Sequence, residues 1–497
     1  SLNTATGTIT QNVKLTASDG AANDLFGYSV SQSGSVGLVG ASQDDIGANG
    51  NQGSAYVFRS LNTATGTITQ NVKLTASDGA AYDEFGGSVS LSGSIGLVGA
   101  AADSIGVASG RGSAYVFRSL DTATGTITQN VKLTASDGAA NDLFGYSVSL
   151  DGDQFVIGAY FKNSGTGKAY SGSVASVTTL DSGNTSRTID GISFESQDNW
   201  IIGETTDANV IALTSGDAAT VTASGKKVFI GKNAGSDNNS LTVNGSLTAT
   251  EVVVGASGNA GNRLVVGSSG SVSSAATIVL QAGSELNYNS ASSLSVASLI
   301  VNGGTLSGTG AVNVAVALDS LTDTLSPGNS PGTQGYGTSQ AWSSFTYEWE
   351  VNDFTNPTAG TAFDQITITG NLALDTLNPY VLDILSLTAG NLAGNVTNFA
   401  ETNRNWAVLS TTGGITGFNA ANWNLNTTGF TNSHTGAWSL AQSGNDLVLS
   451  YTAVPEPSTY AMLIVVGCAF WFAKRRFPFP KAITWTRPST GTNVSPE

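Results

Sequence analysis

The chain is poor in sulfur, histidine and charge. Its 497 residues include one cysteine (Cys468), one methionine (Met462) and one histidine (His434). Both sulfur-containing residues lie in a single apolar stretch near the C-terminus. Residues 1–453 therefore cannot be cross-linked by disulfides, and thiol catalysis and Cys/His metal centres are excluded there. Only 11% of residues are charged, which disfavours long solvated helices.

Positively charged residues are fewer than negatively charged ones. The 19 Lys and Arg residues stand against 35 Asp and Glu, a formal net charge of −16, so there is no basic footprint for a nucleic acid. What the chain has instead is 61 glycines, with apolar residues recurring at strand-like spacing. This pattern predicts an all-β protein of short strands joined by tight turns. Because no Met precedes position 462, we expect Ser1 not to be the natural start and an export signal to lie upstream.

The first part of the chain repeats itself with a period of 59 residues. SLNTATGTITQNVKLTASDGAA begins at Ser1 and again at Ser60, and a copy with Asp121 in place of the Asn begins at Ser119. Each copy predicts four strands: NVKLTA, FGYSVS, a GLVGA run and SAYVFR. Turn residues separate these strands. A repeat of this length with four strands is typical of a β-propeller blade.

The three copies carry a paired motif, Phe-Gly followed by Gly-Ala. It resembles the FG-GAP repeat, the blade unit of integrin α-subunit propellers and of many bacterial surface proteins. Residues 1–178 are thus predicted to be three propeller-like repeats. Propellers usually close with four to eight blades, so other blades precede these or the three form an open or oligomeric arrangement; we favour the first. The motif residues are Phe26, Gly27, Gly40, Ala41, Phe85, Gly86, Gly99, Ala100, Phe144, Gly145, Gly158 and Ala159.

Residues 179–333 contain two interleaved sets of apolar triplets. Successive members of a set lie about 20 to 26 residues apart, which predicts a parallel β-helix with one coil stacked on the next. The phrases GGTLSGTG and LSPGNSPGT resemble autotransporter passenger repeats. The triplets are 228–230, 252–254, 278–280 and 299–301 in one set, and 241–243, 264–266 and 286–288 in the other.

Residues 334–453 are richer in aromatic residues and alternate between apolar and polar positions. The alternation predicts half-buried antiparallel strands, either a β-sandwich or the cap of the β-helix.

The segment 454–476, VPEPSTYAMLIVVGCAFWFAKRR, joins a Pro-Glu-Pro turn to an apolar run of about 14 residues and three cations. Such a run with a basic end predicts a membrane helix whose C-terminal end faces inward. The segment resembles the PEP-CTERM sorting signal of Gram-negative bacteria, which implies cleavage by an exosortase. An ordinary tail anchor and a buried core helix are the alternatives, and residues 477–497 are a cytoplasmic or artefactual tail. The signal residues are Pro455, Glu456, Pro457, Lys474, Arg475 and Arg476.

Acidic residues recur at fixed places in each copy, and a calcium site is one interpretation of them. Calcium needs six to eight oxygens, whereas Asp residues at turns commonly bond their own backbone, which is the alternative. The loops between the motif halves lack the acids of the integrin calcium loop, except in the third copy. The candidate ligands are Asp19, Asp24, Asp78, Asp83, Asp137, Asp142, Asp151 and Asp153.

Catalytic residue patterns are sparse. His434 lies in a loop without a nucleophile motif, and Glu348 and Glu350 share one strand face. We expect a non-enzymatic cell-surface or exopolysaccharide-matrix adhesion protein that binds polysaccharide or surface proteins. The loops 44–52 and 103–111, where the copies differ most, are the expected ligand contacts. The alternative is a polysaccharide-degrading enzyme that uses paired carboxylates in a β-helix groove.

Overall fold

A computed structural model describes residues 11–255 and 260–454. The fold is all-β, as the sequence predicts, with 51% of residues in strands and 2% in helices. Among the described residues the helical pieces are two four-residue turns, α1 Lys162–Gly165 and α2 Val174–Val177, and a 3-10 turn at Ala420–Asn422. Within the described ranges no helix is long and apolar enough to cross a membrane. The predicted sorting signal, Pro455 to Arg476, lies outside the described residues.

The repeats form fourteen short strands. Each Phe-Gly begins or directly precedes a strand, and each Gly-Ala ends the next one. The strands are β1 Val13–Thr16, β2 Phe26–Ser33, β3 Val36–Ala41, β4 Ser54–Phe58, β5 Gly66–Thr69, β6 Val72–Thr75, β7 Ser88–Ser92, β8 Ile95–Ala100, β9 Ser113–Phe117, β10 Gly125–Thr128, β11 Val131–Ala135, β12 Phe144–Asp151, β13 Gln154–Ala159 and β14 Lys168–Ser173.

Each repeat gives its first strand to the sheet of the repeat before it. Strands β2, β3 and β4 form an antiparallel meander, to which β6 from the second copy adds antiparallel to β4 and β10 from the third copy adds parallel to β6. In the same way β11 adds antiparallel to β9 in the sheet of β7, β8 and β9. The third copy contributes β12, β13 and β14. Each sheet of the first two repeats therefore combines strands from consecutive copies, because the SAYVF strand pairs with the VKLT strand of the next copy.

The motif glycines mark where neighbouring repeats touch. A Cβ atom added to Gly40 would lie 2.0 Å from the carbonyl oxygen of Gly86, and one added to Gly99 would lie 2.0 Å from that of Gly145. The Ser29 hydroxyl donates to the Gly86 carbonyl over 2.7 Å, and Ser88 does the same to Gly145. Small residues are thus required because backbone packs directly on backbone.

One position in each repeat has a left-handed backbone conformation, and the residue at that position differs between the copies. Asn23 and Asn141 have φ of 78° and 62°, and the second copy has Tyr82 there with φ of 69°. Asn tolerates this region better than a bulky aromatic residue. We expect Tyr82→Asn to raise the free energy of unfolding by about 1 kcal/mol, measured by chemical denaturation. The reverse change, Asn23→Tyr, should lower it by a similar amount; equal stability of both variants and wild type would contradict this account.

Downstream, parallel ladders replace the meanders. The first ladder is β15 Thr179–Leu180, β18 Trp200–Ile202, β21 Val228–Ile230, β24 Glu251–Val254, β27 Thr277–Gln281, β29 Ser298–Asn302 and β31 Val316–Ala317. The second is β16 Ser186–Ile189, β19 Val210–Leu213, β22 Ser240–Val243, β25 Arg263–Val266, β28 Glu285–Tyr288, β30 Thr305–Gly308 and β32 Asp319–Pro327. The third is β17 Ile192–Ser196, β20 Ala218–Val221, β23 Ser246–Ala249 and β26 Ser271–Val272. We call these strands the coil region.

The apolar triplets build the core of the coil region. Strands alternate between buried and half-exposed positions, so every second side chain points inward. Val228, Val252, Ile278 and Leu299 are register partners in the first ladder, and all are buried. The second set stacks in the same way in the second ladder. Like-on-like stacking thus gives each coil a complementary apolar surface on its neighbour.

The parallel pairing continues through residues 334–453. The strands there are β33 Thr333–Tyr336, β34 Gln340–Trp342, β35 Ser344–Val351, β36 Gln365–Ile368, β37 Asn371–Leu374, β38 Tyr380–Ser386, β39 Arg404–Thr411, β40 Gly414–Thr416, β41 Trp423–Asn426, β42 Ala437–Ser443 and β43 Asp446–Thr452. Three parallel ladders form, β32-β35-β38-β41, β33-β36-β39 and β34-β37-β40. Only β43, which pairs with β39 and β42, runs antiparallel.

The predicted antiparallel β-sandwich of residues 334–453 is therefore wrong. Alternating apolar and polar residues fix which face of a strand is buried, but they do not fix the direction of its neighbour. Aromatic side chains fill the wider coils of this part. Trp349 packs on Trp406 with ring centroids 5.4 Å apart, and Tyr380 stacks on Trp423 at 4.9 Å.

One sheet connects the repeats to the coil region. Strand β11 pairs antiparallel with β9 on one side and with β17 on the other. An eight-stranded sheet therefore runs from β7 to β26 across the junction. The second repeat is in this way held beside the first coils.

Candidate functional site: the repeat loops and the junction cavity

A lysine ammonium group lies between two aspartates in each of the first two repeats. Lys73 Nζ is 2.6 Å from Asp19 and 2.7 Å from Asp44. The hydroxyl of Tyr56 donates to the same two carboxylates over 3.0 and 2.9 Å. The lysine comes from β6, so the group is assembled from two consecutive copies. It therefore links the loops of one repeat to the strand of the next.

The second repeat reproduces the arrangement. Lys132 Nζ is 2.5 Å from Asp78 and 2.7 Å from Asp103, and the Tyr115 hydroxyl bonds both acids. Burial alone would lower the pKa of Lys132, but the charges of Asp103 and Asp78 outweigh it and raise that pKa. Burial raises the pKa of the Tyr115 phenol. Lys132 therefore stays charged and Tyr115 stays a hydrogen-bond donor at any physiological pH.

The third repeat keeps the acid and the tyrosine but changes the cation. Tyr170 donates to Asp137 over 2.5 Å, and Lys168 from the same repeat lies 2.9 Å from Asp137. Lys168 and Asp137 are both almost half exposed, unlike Lys132. A second lysine, Lys162, pairs with buried Asp142 at 2.8 Å.

Most of the acids named as candidate calcium ligands have protein partners in the structure, and calcium binding stays a prediction. Asp19, Asp78 and Asp137 bind lysines, as described above. Asp24, Asp83 and Asp142 accept the backbone N–H of the alanine three residues earlier, over 2.5 to 2.6 Å. Asp153 accepts from Ser173 and lies 3.5 Å from Arg187, and Asp151 lies at the exposed end of β12. Within the described ranges no three acids or histidines come together as metal ligands do.

A cavity of about 540 Å³ opens where the second repeat meets the coil region. The loop 103–111 forms one wall, and strands β17 and β20 form the other through residues such as Phe194, Glu195 and Thr220. The expected ligand loop of the second repeat therefore lines this cavity. The Lys132 group contributes Asp78, Asp103 and the ammonium to its lining.

Arg111 lines this cavity, and one N–H group of its guanidinium has no acceptor among the described residues. One terminal nitrogen of its guanidinium donates to the carbonyl of Ala135 over 2.6 Å. Its Nε is buried and has no hydrogen-bond partner among the described residues. A buried donor without an acceptor costs free energy, about 1 to 3 kcal/mol. The first copy has Gln52 at this position.

Asp83 faces the same cavity and titrates unusually high. Burial is the main cause, and the negative charge of Asp103 adds to it; together they raise the pKa of Asp83 to about 6. The proton is therefore held in the folded protein at pH values where an unfolded chain has lost it. This group favours folding at low pH and loses that contribution as pH rises from about 4 to about 6.

We expect Asp83→Asn to remove this pH dependence. The free energy of unfolding of the variant, relative to wild type, should rise by about 2 to 3 kcal/mol between pH 4 and pH 7. Urea denaturation across that range measures the difference. Asp24→Asn is the control, since Asp24 accepts the same backbone bond but lies outside the cavity lining. Parallel pH curves for Asp83→Asn and wild type would contradict the prediction.

The remaining candidate residues lie elsewhere. The Nδ1–H of His434 donates to the Asn432 carbonyl over 2.9 Å, and the ring packs edge-on against Phe430. Glu348 and Glu350 share the outer face of β35, and Glu348 pairs in register with Asp383 of β38. Burial raises the pKa of both glutamates, with a further contribution from Asp383 at Glu348.

Sequence reasoning found the acids of the site but missed the cations. Lys73 and Lys132 lie 54 residues from the acids Asp19 and Asp78 that they bind, in strands of the following copy. A signal was present, because the lysine of VKLT recurs in every copy. Arg111 carried no such signal, since only the fold shows that its Nε is buried.

Comparison with known families agrees with the repeat analysis. The model of the FG-GAP repeat matches residues 9–58, 68–117 and 127–174. No curated protein matches the chain. The N-terminal region therefore consists of FG-GAP repeats, which are typical of extracellular or surface proteins. The prediction of FG-GAP repeats is confirmed.

Proposed function

We propose that the protein is a non-enzymatic surface adhesion protein that binds a hydroxyl-rich polymer at the junction cavity. The single observation that carries this proposal is the cavity itself. It combines carboxylates, the Arg111 side chain and the loop in which the copies differ most. Such a lining can accept hydrogen bonds from many hydroxyls and donate one back, which suits a saccharide chain of an exopolysaccharide matrix.

The charge of the cavity restricts its ligand. Asp78, Asp83, Asp103 and Glu195 contribute four acids, and only Lys132 and Arg111 oppose them. An anionic polymer would meet net repulsion there, so a neutral or cationic ligand fits. Repeated weak contacts of this kind along a polymer can add through multivalency.

The coil region would act as a stalk for the repeats. Its ladders are parallel, and the second ladder continues in parallel through β35 and β38 to β41. The phrase LSPGNSPGT, which includes the end of β32, supports a passenger-like β-helix. An elongated stack would hold the cavity away from the cell surface.

The C-terminal segment supports membrane attachment through a PEP-CTERM signal. Pro455 to Pro457 and the cations Lys474 to Arg476 fit recognition by an exosortase at the membrane of a Gram-negative bacterium. Intact-mass measurement of the protein isolated from its native host tests this. A mature chain that ends before residue 476 supports processing, whereas one that retains the whole segment would make it a permanent anchor.

Binding at the cavity can be tested with Arg111→Gln, which installs the residue of the first copy. We expect retention on immobilised exopolysaccharide to fall about tenfold, the effect of about 1.4 kcal/mol of lost binding free energy. Gln52→Arg, the reverse change in the first repeat, is the matched control. When it is added to the Arg111→Gln variant, it should not restore binding. Unchanged retention of Arg111→Gln would overturn the proposed site.

A polysaccharide-degrading enzyme is the second candidate function. The observation that favours it is the register pair Glu348 and Asp383 on adjacent strands, since paired carboxylates can act as acid and base. Release of new reducing ends from polysaccharide by the purified chain, lost in Glu348→Gln and Asp383→Asn, would replace adhesion by catalysis as the function.

A further inference from the structure

A second, smaller cleft lies where the three repeats meet. Its volume is about 180 Å³, and its lining includes Tyr28, Glu84, Gly87 and Tyr146. At about 30 Å³ per molecule this is the space of roughly six waters. The cleft is far too small for a folded partner, and it suits one ring or one charged head group.

The cleft exists because the middle copy differs from its neighbours at two positions. Where the first and third copies have Tyr28 and Tyr146, the second has Gly87; where they have Leu25 and Leu143, it has Glu84. The missing tyrosine leaves a gap between two others that remain 63% and 53% exposed. The glutamate places a carboxylate beside that gap.

The backbone at the gap is the same in all three copies. Glu84 has φ of 56°, close to the values at Leu25 and Leu143. The N–H of Gly87 donates to the Glu84 carbonyl, as the N–H of Tyr28 does to that of Leu25. The difference between copies is therefore confined to side chains, and the cleft is open without any local rearrangement.

Aromatic surface continues from one wall of the cleft. Tyr146 packs on Tyr160 with ring centroids 4.3 Å apart, and Tyr160 contacts Phe161 at 5.8 Å. Tyr160 and Phe161 are 51% and 45% exposed. We call Tyr146, Tyr160 and Phe161 the aromatic platform. The first copy has Ser42 and Gln43 at the two C-terminal positions, so this platform is specific to the third repeat.

Charge complementarity indicates a cationic occupant. Glu84 is exposed and makes no ion pair with any lysine or arginine in the part of the chain that the structure describes. A carboxylate flanked by two tyrosine rings attracts a cation through its charge and through the negative faces of the rings. A neutral sugar would leave the carboxylate without a counter-charge.

We propose that this cleft binds a protonated amino sugar within a polysaccharide whose amino groups are free. The ammonium would lie against Glu84 between Tyr28 and Tyr146, and the next sugar ring would stack on the aromatic platform. A lysine side chain could place its ammonium group in the cleft, but it has no ring to stack on the aromatic platform. This inference names a ligand class for the proposed adhesion function, and it rests on that function while using a different site.

The test is a titration of the full chain with a glucosamine oligomer, its fully N-acetylated counterpart and an oligolysine peptide. We expect the glucosamine oligomer to bind at least about tenfold more tightly than the acetylated one. Glu84→Gln should abolish that difference, and Tyr160→Ala should weaken binding of the glucosamine oligomer. Equal binding of both sugars to wild type, or oligolysine binding as tight as glucosamine, would overturn the proposal.

Gly87→Tyr provides a variant that should fold normally, because both neighbouring copies have tyrosine there. It should fill the cleft and abolish glucosamine binding; undiminished binding would place the ligand elsewhere. Loss of binding in Gly87→Tyr with retained exopolysaccharide retention, or the converse, separates the two sites.

Discussion

Replacing Lys132 by methionine should lower the free energy of unfolding by about 3 kcal/mol or more. The ammonium is the only positive charge within ion-pair distance of Asp103, among the residues that the structure describes. Asp103 is 5% exposed, so its carboxylate would remain buried without a counter-charge. Asp78 is nearly half exposed and would lose less. Chemical denaturation at pH 7 measures the loss, which should shrink at low pH as the acids take up protons.

Lys168→Met is the matched control. Lys168 binds the equivalent acid Asp137 at a similar distance, 2.9 Å, yet both groups are almost half exposed. Exposed ion pairs contribute little, so we expect a loss of at most about 1 kcal/mol. Equal losses for the two lysine variants would show that burial does not set the strength of these networks.

Gly99→Ala should also cost about 3 kcal/mol or more. The added methyl group would lie 2.0 Å from the Gly145 carbonyl oxygen and 2.3 Å from the Ser88 hydroxyl. The first of these atoms belongs to the backbone of the next repeat and cannot move alone. The contact between the second and third repeats would have to widen, which also breaks the bond from Ser88 to Gly145.

The same motif position in the third copy supplies the control. A methyl group on Gly158 would meet only the Ser147 hydroxyl at 2.4 Å, and that side chain can rotate. We expect Gly158→Ala to cost about 1 kcal/mol or less. If thermal and chemical denaturation give similar losses for both variants, the glycine is needed for its own strand and not for the contact between repeats.

Much of the fold could be predicted because the chain repeats itself. The 59-residue period places the Phe-Gly and Gly-Ala pairs, and the apolar triplets fix which side chains stack in the coil region. Strand direction in residues 334–453 could not be predicted, since alternation at β35 and β38 is equally compatible with parallel and antiparallel neighbours. The pairing of each VKLT strand with the sheet of the preceding copy could not be predicted either, because the local sequence does not determine which strands pair.

The candidate site was predictable only in part. Asp78, Asp83 and the loop 103–111 stood out from the sequence, because acids recur and loop residues vary between copies. The role of Asp78 could not be predicted, because its partner Lys132 comes from the following copy. The cavity depends on β17 and β20 packing beside the second repeat, and no local pattern encodes that contact.

The offset between copy and sheet has a consequence for how this gene segment can change. The VKLT strands of the second and third copies, β6 and β11, each pair with the SAYVF strand of the copy before. Unequal recombination that removes residues 60–118 would place β11 beside β4, with β17 still on its other side. We therefore expect a chain shortened by one whole period to keep these strand pairs.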